Sequence, residues 1–490
     1  MQNYEKLPLP CRLEEQMAYL RHIAGNSADL LIDPVTVGGI PCALAACEGM
    51  VSTAVLGQLL IEPLTKLPAQ PDSDALRHTI QTERLFSLDC PVIREYGTLF
   101  RLLHSGFAVL LMDGQTLALG FGAQGFEKRS VSEPSGEANI MGAHEGFTEA
   151  LRPNLSLLRR RMKTPLLRYE MQNMGSLSHT DVCLCWMDDR VPPDLLRQIR
   201  ASLASAELET VITPGYLQPF LESHSAGLFD TVSTTERPDV LAAKLLEGRV
   251  AVMMDGSPFA LVVPKLFCES FQTLDDYSFK PYYAAFLRWV KYFALLLTLL
   301  LPALYVAVSM HHPELLNRTL LLLLTKAEAD EPLSLPAEAI GVLIMYEVIR
   351  EAGLRLPKVV GGAVSIVGGL IIGDAAVSSG LVSTPMLTVT AIAVTAGFIV
   401  PDLNPAVTVL RLLFIAAGGI WGLFGIGLLG MAVLFHLCRA ESFGFPLSAP
   451  FSPFYPSAMR DVLTRVGFRN MQHGHFTVEQ FREPAERRSP

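Results

Sequence analysis

Apolar and polar positions follow two regimes along this chain. Up to about residue 280, apolar runs of four to eight residues are bounded by Gly, Pro or Asp, the pattern of buried strands set between amphipathic helices. The run Cys42–Cys47 is followed by helical stretches, then by a strand, an Asp-Gly turn and a strand over Ala108–Gly120. The same succession returns downstream: Val182–Met187 predicts a strand, Pro193–Ala206 a helix, and Val250–Val263 a strand, an Asp-Gly turn and a strand. Gly106-Phe-Ala-Val-Leu-Leu-Met-Asp-Gly114 aligns with Gly248-Arg-Val-Ala-Val-Met-Met-Asp-Gly256 at a shift of 142 positions. Asp-Gly between apolar runs predicts a two-residue hairpin, because a type I′ turn takes positive φ at both central residues. The fold expected is a duplicated α/β region: a first subdomain over residues 1–126, a connector over 127–174 and a second subdomain over 175–280. In the connector, Arg159-Arg160-Arg161 reads either as part of a solvated helix or as a docking or lipid-headgroup surface.

From residue 281 the pattern becomes continuous, predicting an all-α multi-pass transmembrane domain over 281–440 and a tail over 441–490. Tyr292–Met310 is 19 residues without a charge, preceded by Arg288 and Lys291. Val359–Pro401 holds one charge, Asp374, in 43 residues, which suits two spans broken near Gly380–Pro385, and Leu412–Phe435 holds none in 24. These make four spans. Leu315–Thr325 is too short to cross, and Pro336–Gly353 carries Glu338, Glu347, Arg350 and Glu351, so it reads as an interfacial or cavity-lining helix; counting both makes six. Either number is even. With Arg288 and Lys291 before the first span and Arg439 after the last, both termini are expected in the cytoplasm.

Small residues recur along two of these segments: Gly361, Ser365, Gly369 and Gly373, and then Gly418, Gly422 and Gly430 with Gly419 and Gly427. Such stripes let helix backbones approach closely, within one protomer or between protomers. Gly361, Gly369, Gly373, Gly418 and Gly422 are therefore the helix-packing candidates. The polar groups between Val359 and Pro401 that could line a water-filled path include Ser365, Asp374, Thr388 and Thr395. Asp374 is costly in lipid, so it must face protein, water, a partner charge or the interface.

Composition sharpens this division. The 160 residues from Pro281 to Ala440 hold 18 charged side chains, against 69 in the other 330. A net charge of −9 without a block of basic residues argues against nucleic acid as a partner. The eight cysteines form neither a dense framework nor a CxxC pair, and read as small apolar residues of a reducing compartment. Met1–Glu15 lacks a basic region followed by an apolar run, which predicts no secretory signal. Gly120-Phe-Gly122-Ala-Gln-Gly125 satisfies the dinucleotide spacing but is followed by no amphipathic helix, and no phosphate-binding GxxxxGK[ST] occurs. Cys183 and Cys185 share a strand face without nearby ligands, and His311-His312-Pro-Glu314 marks a water interface. No catalytic residue, metal site or cofactor is expected.

Several longer strings carry a resemblance: Cys47-Glu-Gly-Met-Val51, Glu145-Gly-Phe-Thr-Glu149, Leu158-Arg-Arg-Arg-Met162, Thr235-Glu-Arg-Pro-Asp-Val240, Leu301-Pro-Ala-Leu-Tyr-Val306, Arg350-Glu-Ala-Gly-Leu-Arg-Leu-Pro357 and Ala363-Val-Ser-Ile-Val-Gly368. Through these, in this order over nearly the whole chain, the sequence resembles the A subunits of GerA-type spore germination receptors. At Thr180-Asp181-Val-Cys-Leu-Cys185 it also resembles the related stage V sporulation protein AF. It departs from the family's Arg-Gly-Pro-Arg-Glu-Gly-Phe at Met141-Gly-Ala-His-Glu-Gly-Phe147, where two arginines are missing. The resemblance implies two cytoplasmic α/β subdomains, a multi-pass domain in the spore inner membrane, and partnership with a transporter-like B subunit and a lipoprotein C subunit. It further implies a homo-oligomer, a pentamer, that releases monovalent cations when germinant is sensed. An AF-like subunit that amplifies ion release, a secondary transporter and a non-conducting membrane scaffold are the alternatives.

Overall fold

The computed structural model describes residues 4–83, 90–125, 137, 139–222, 227–328, 331–356, 369, 373–456, 458–467 and 477–481. Its first unit contains α1 (Leu13–Ala24), β1 (Leu30–Val37), β2 (Ile40–Cys47), α2 (Ser73–Glu83), β3 (Val92–Ile93), α3 (Tyr96–Leu103), β4 (Phe107–Met112) and β5 (Ala118–Gly122). The second contains α4 (Leu151–Arg161), β6 (Leu167–Met174), β7 (Thr180–Met187), α5 (Pro193–Ala204), β8 (Ser233–Thr235), α6 (Pro238–Leu246), β9 (Val250–Met254) and β10 (Ala260–Val263). Each unit has one antiparallel sheet, in the order β1-β2-β4-β5-β3 and β6-β7-β9-β10-β8. The central strands are apolar on both faces: all six residues of β4 and all five of β9 are buried. In the first unit α1 and α3 cover one face and the helical stretch through Leu60, Leu64 and α2 covers the other. In the second, α4 and α6 cover one face and α5 the other.

The two units agree at single residues. Asp113 accepts the Leu13 amide at 2.9 Å, and Asp255 accepts the Leu151 amide at 2.9 Å, so each turn carboxylate caps the first helix of its unit. Gly114 and Gly256, at φ 80° and 86°, donate to the Cys11 and Glu149 carbonyls. The expected two-residue type I′ turns are corrected by this geometry. The loops run over residues 113–117 and 255–259, and only the glycine takes positive φ, because the aspartate is held by the helix it caps.

Three further expectations change. β6 and α4 lie within the stretch read as connector and complete the second unit. Arg159 is neither solvated nor lipid-facing: its side chain is 2% exposed and forms a bidentate pair with Asp29 at 2.8 and 2.9 Å. Burial alone would lower the guanidinium pKa, but the Asp29 carboxylate outweighs it and holds it above its usual value. The stretch read as a cytoplasmic tail contributes Phe445, Ala449, Val462, Val478 and Phe481 to the core on the α5 face of the second sheet.

The helical half comprises α7 (Pro281–His311), α8 (Arg318–Glu328), α9 (Leu335–Arg355), α10 (Thr384–Gly397) and α11 (Asn404–Arg439). Among the described residues, two helical stretches are long and apolar enough to cross a membrane, Pro281–His311 and Pro401–Arg439. Residues 373–378 are helical and α10 has 14 residues, roughly 21 Å, short of the ~30 Å hydrocarbon thickness.

Candidate functional site

α11 is one run of 36 residues interrupted at Gly422, whose φ of 61° and ψ of −144° are accessible without strain to glycine alone. The chain doubles back there. A Cβ at Gly425 would run into the Ala417 carbonyl oxygen, whereas residues eight apart in a straight helix are separated by about 12 Å. The two ends also meet: Leu403 and Val407 pack with Phe271, Phe229 and Tyr292, and the Leu228 amide donates to His436 Nε2 at 3.1 Å while the His436 ring packs on Phe229. A straight helix would hold those ends roughly 54 Å apart. α11 is therefore a helical hairpin with limbs over residues 404–421 and 423–439, each roughly 26 Å long. The reading of Leu412–Phe435 as one unbroken helix is corrected: a glycine stripe spaced for helix contact also contains the turn.

The far end of α7 closes this turn. A break in a helix frees backbone groups that lipid cannot satisfy. His311 Nε2 donates to the Gly419 carbonyl at 2.8 Å, and the Leu423 amide donates to His312 Nε2 at 3.4 Å. His312 Nδ1 faces Glu314 at 3.4 Å, which assigns its proton to Nδ1. α7 also runs close to the first limb, since a Cβ at Gly418 would meet the Ala303 carbonyl oxygen at 2.9 Å.

Charged residues of α9 tie the bundle together. Buried Glu338 accepts from the Ser383 amide at 2.6 Å and its hydroxyl at 2.8 Å, fixing the N-cap of α10. Glu347 bridges Arg350 at 2.7 Å and Arg411 at 3.1 Å and accepts from Thr408 at 3.2 Å. Arg350 thus pairs within its own helix.

Asp374 is exposed. Thr388 and Thr395 are exposed on one face of α10 together with Thr384 and Ile392, and their hydroxyls donate to the Thr384 and Ala391 carbonyls at 2.9 and 2.8 Å. Met386, Thr390 and Ala393 occupy the buried face. A Cβ at Gly373 would lie 3.8 Å from Leu387, and one at Gly369 would meet nothing within 4 Å. Gly361 and Ser365 lie outside the described residues. His311, His312 and Arg411 were not among the candidates. The visible signal was polar side chains inside or at the ends of apolar helices.

At the near end, Arg288 is fully buried and bonds Asp276 at 3.1 Å and both the carboxylate and carbonyl of Asp461. Lys291 joins Asp276 at 3.2 Å, and Tyr277 donates to Asp461 at 2.8 Å. Arg465 donates to the Phe279 and Tyr277 carbonyls at 3.1 and 3.0 Å. The C-terminal segment therefore clamps the start of α7 onto the second unit. Beneath it, buried Arg249 pairs with Glu269 and, at 2.8 Å, with Glu247. Burial would raise the Glu269 pKa, but Arg249 and Lys244 outweigh it and hold the carboxyl at about 2.

Among the described residues, no group of three or more His, Cys, Asp or Glu is placed to hold a metal ion. Cys183 and Cys185 are buried with their sulfurs 3.8 Å apart. Gly120 and Gly122 lie in β5.

Comparison with known proteins places these features in context. The family model of the Bacillus/Clostridium GerA spore germination protein matches residues 18–475. Spore germination protein KA of Bacillus subtilis is 33% identical over 93% of this chain and 84% of its own length. The uncharacterized membrane protein YfkQ of the same organism is 32% identical over 100% of this chain and 96% of its own. A crystal structure of the N-terminal domain of the A subunit of the Bacillus megaterium spore germinant receptor GerK3 is 28% identical, covering 53% of this chain and 97% of that chain at a TM-score of 0.41.

Proposed function

Because the chain belongs to the Bacillus/Clostridium GerA spore germination protein family, we propose that it is the A-type subunit of a nutrient-responsive germination receptor. In this reading its helical half assembles with copies of itself, as a pentamer, into a path for monovalent cations in the spore inner membrane. The α/β units face the cytoplasm, and a transporter-like B subunit and a lipoprotein C subunit complete the receptor.

The order of contacts among the described helices supports a membrane part that starts and ends beside the α/β units. α7 leads away from the α/β units to the hairpin turn, where Pro336 at the start of α9 packs on Gly419. α9 returns, since Glu347 lies beside Arg411, two turns from the near end of the first limb. α10 also returns, from Ser383 beside Glu338 to Gly397 beside Thr298 and Asn404. The two limbs of α11 add one ascent and one descent, and the C-terminal segment then meets the second α/β unit, where Phe445 and Phe481 join its core.

The observation that carries conduction is the exposed threonine face of α10, with Asp374 exposed on the segment before it. Polar groups on a membrane helix belong against water or another protomer rather than lipid. Subunit identity is tested in spores. Deleting the gene should abolish germination in response to the cognate nutrient mixture, the intact gene should restore it, and the tagged chain should co-purify with the B-type and C-type subunits. Normal germination of the deletion strain in every nutrient mixture would oppose the assignment.

A further inference from the structure

Ile140 and Met141 are 80% and 51% exposed, in a stretch, Asn139–Ala143, that carries no charge. Both backbone amides donate to one carboxylate, Ile140 to Asp275 Oδ2 at 3.1 Å and Met141 to Asp275 Oδ1 at 2.9 Å. The loop is thus fixed with its apolar side chains outward and these two amides satisfied. Single exposed apolar residues are ordinary on a soluble surface, so the position of this pair decides its meaning.

That position follows from contacts on either side of the loop. Asp276, next to the clamping residue, bonds Lys291 at 3.2 Å and Arg288 at 3.1 Å. Lys291 is the last charge before the uncharged stretch Tyr292–Met310, so Asp275 and the loop it holds stand level with the start of the apolar part of α7. Asn139 also lines one cavity, of about 270 Å³, with Lys291, Ile399 and Pro401, which puts the loop beside the chain leading into α11. Exposed large side chains of two other segments share this level: Trp289 and Phe293 of α7, and Phe398 and Ile399 after α10.

Side chains of this kind belong at the boundary between lipid and water, where aromatic belts and apolar anchors sit. Charge agrees with that placement. Asp276 is neutralised by Lys291 and Arg288, and Asp275 accepts the two amides, so no charge of the loop itself has to leave water.

We propose that Ile140 and Met141, clamped by Asp275, insert into the headgroup region of the bilayer beside α7 and dock the second α/β unit on the membrane surface. The proposal rests on the reading that α7 spans a bilayer, and is independent of conduction.

The test uses the full-length chain in nanodiscs of phosphatidylglycerol and phosphatidylcholine, with the exposed Cys11 and Cys438 replaced by serine and one bimane-labelled cysteine at a time. Ile140→Cys and Met141→Cys should lose roughly half their emission when the lipids carry a nitroxide near the top of the acyl chain, because interfacial side chains sit about 5–10 Å deep. Leu177→Cys, exposed in the turn between β6 and β7, should keep its emission, whereas Phe293→Cys, exposed on α7, should be quenched. Asp275→Ala frees the loop and should lower quenching of the Ile140→Cys label without changing that of Phe293→Cys. Quenching of Phe293→Cys alone would overturn the proposal, as would equal quenching of Leu177→Cys or undiminished quenching in Asp275→Ala. A blue-shifted but unquenched Ile140→Cys label would also overturn it, assigning the loop to a contact with another protomer. A chain quenched at none of these labels would fail the reading that α7 lies in lipid.

Discussion

His311 Nε2 donates to the Gly419 carbonyl oxygen at 2.8 Å across 108 residues of sequence, so the end of the first long apolar helix holds the turn of the last. Gly422, at the apex, combines positive φ with a Cβ position only 2.9 Å from His311 Cβ and His312 Nε2. Gly422→Ala should therefore cost about 3 kcal/mol and lower the unfolding temperature of the detergent-solubilised protein by several degrees. Gly427→Ala, in the helical limb with nothing within 4 Å, should be neutral or stabilising by about 0.5 kcal/mol. Equal effects would mean that the apex is not strained.

The hairpin also sets sidedness. In a variant with the exposed Cys11 and Cys438 replaced by serine, single cysteines at Asp402 and Arg439 should react with a membrane-impermeant maleimide from the same face. One at Glu314 should react from the other. Labelling of the first two from opposite faces would mean that α11 crosses once.

Arg159 and Asp29 join the two α/β units in a site almost closed to water, with side-chain exposures of 2% and 8%. Asp29→Asn leaves the guanidinium buried without its countercharge and should cost about 3–5 kcal/mol in urea unfolding. Arg160→Gln, at a side chain 41% exposed in its pair with Glu145, should cost less than about 1 kcal/mol.

Glu269 supplies a pH signature. Its ordinary pKa near 4.5 falls to about 2 in the fold, so the folded state binds fewer protons than the unfolded state between those values. Its contribution to stability is fully present above about pH 4.5 and is lost as pH falls toward 2. Glu269→Gln should destabilise the protein at neutral pH by about 3 kcal/mol and flatten the acid limb of its stability curve. An acid limb identical to that of the unsubstituted protein would show that Glu269 is not the group responsible.

The repeated units were legible because their signal is local. Gly106–Gly114 and Gly248–Gly256 each hold a strand and its turn within nine residues. The role of the aspartates was not, since Asp113 and Asp255 cap helices 100 and 104 residues upstream. Arg159 was misplaced for the same reason: its partner lies 130 residues away, and a run of three arginines by itself reads as surface. In the helical half, spacing identified Gly418 and Gly422 as small positions. It could not tell the glycine that admits a neighbouring helix from the one that turns the chain, because both recur at helical period. Phe445 and Phe481 were hidden by sparse, Pro-rich surroundings, and only the second sheet gives them a face to cover.

Potassium flux tests the central claim most directly. If the proposed path is correct, proteoliposomes containing the assembled receptor should release trapped potassium on addition of the cognate nutrient, and Asp374→Asn should reduce that flux about tenfold without changing oligomer size, because in that path a ring of these carboxylates would concentrate cations. Flux no greater than from empty liposomes, or undiminished flux in Asp374→Asn at equal protein and equal assembly, would contradict the assignment of this chain as the conducting subunit with Asp374 on its path.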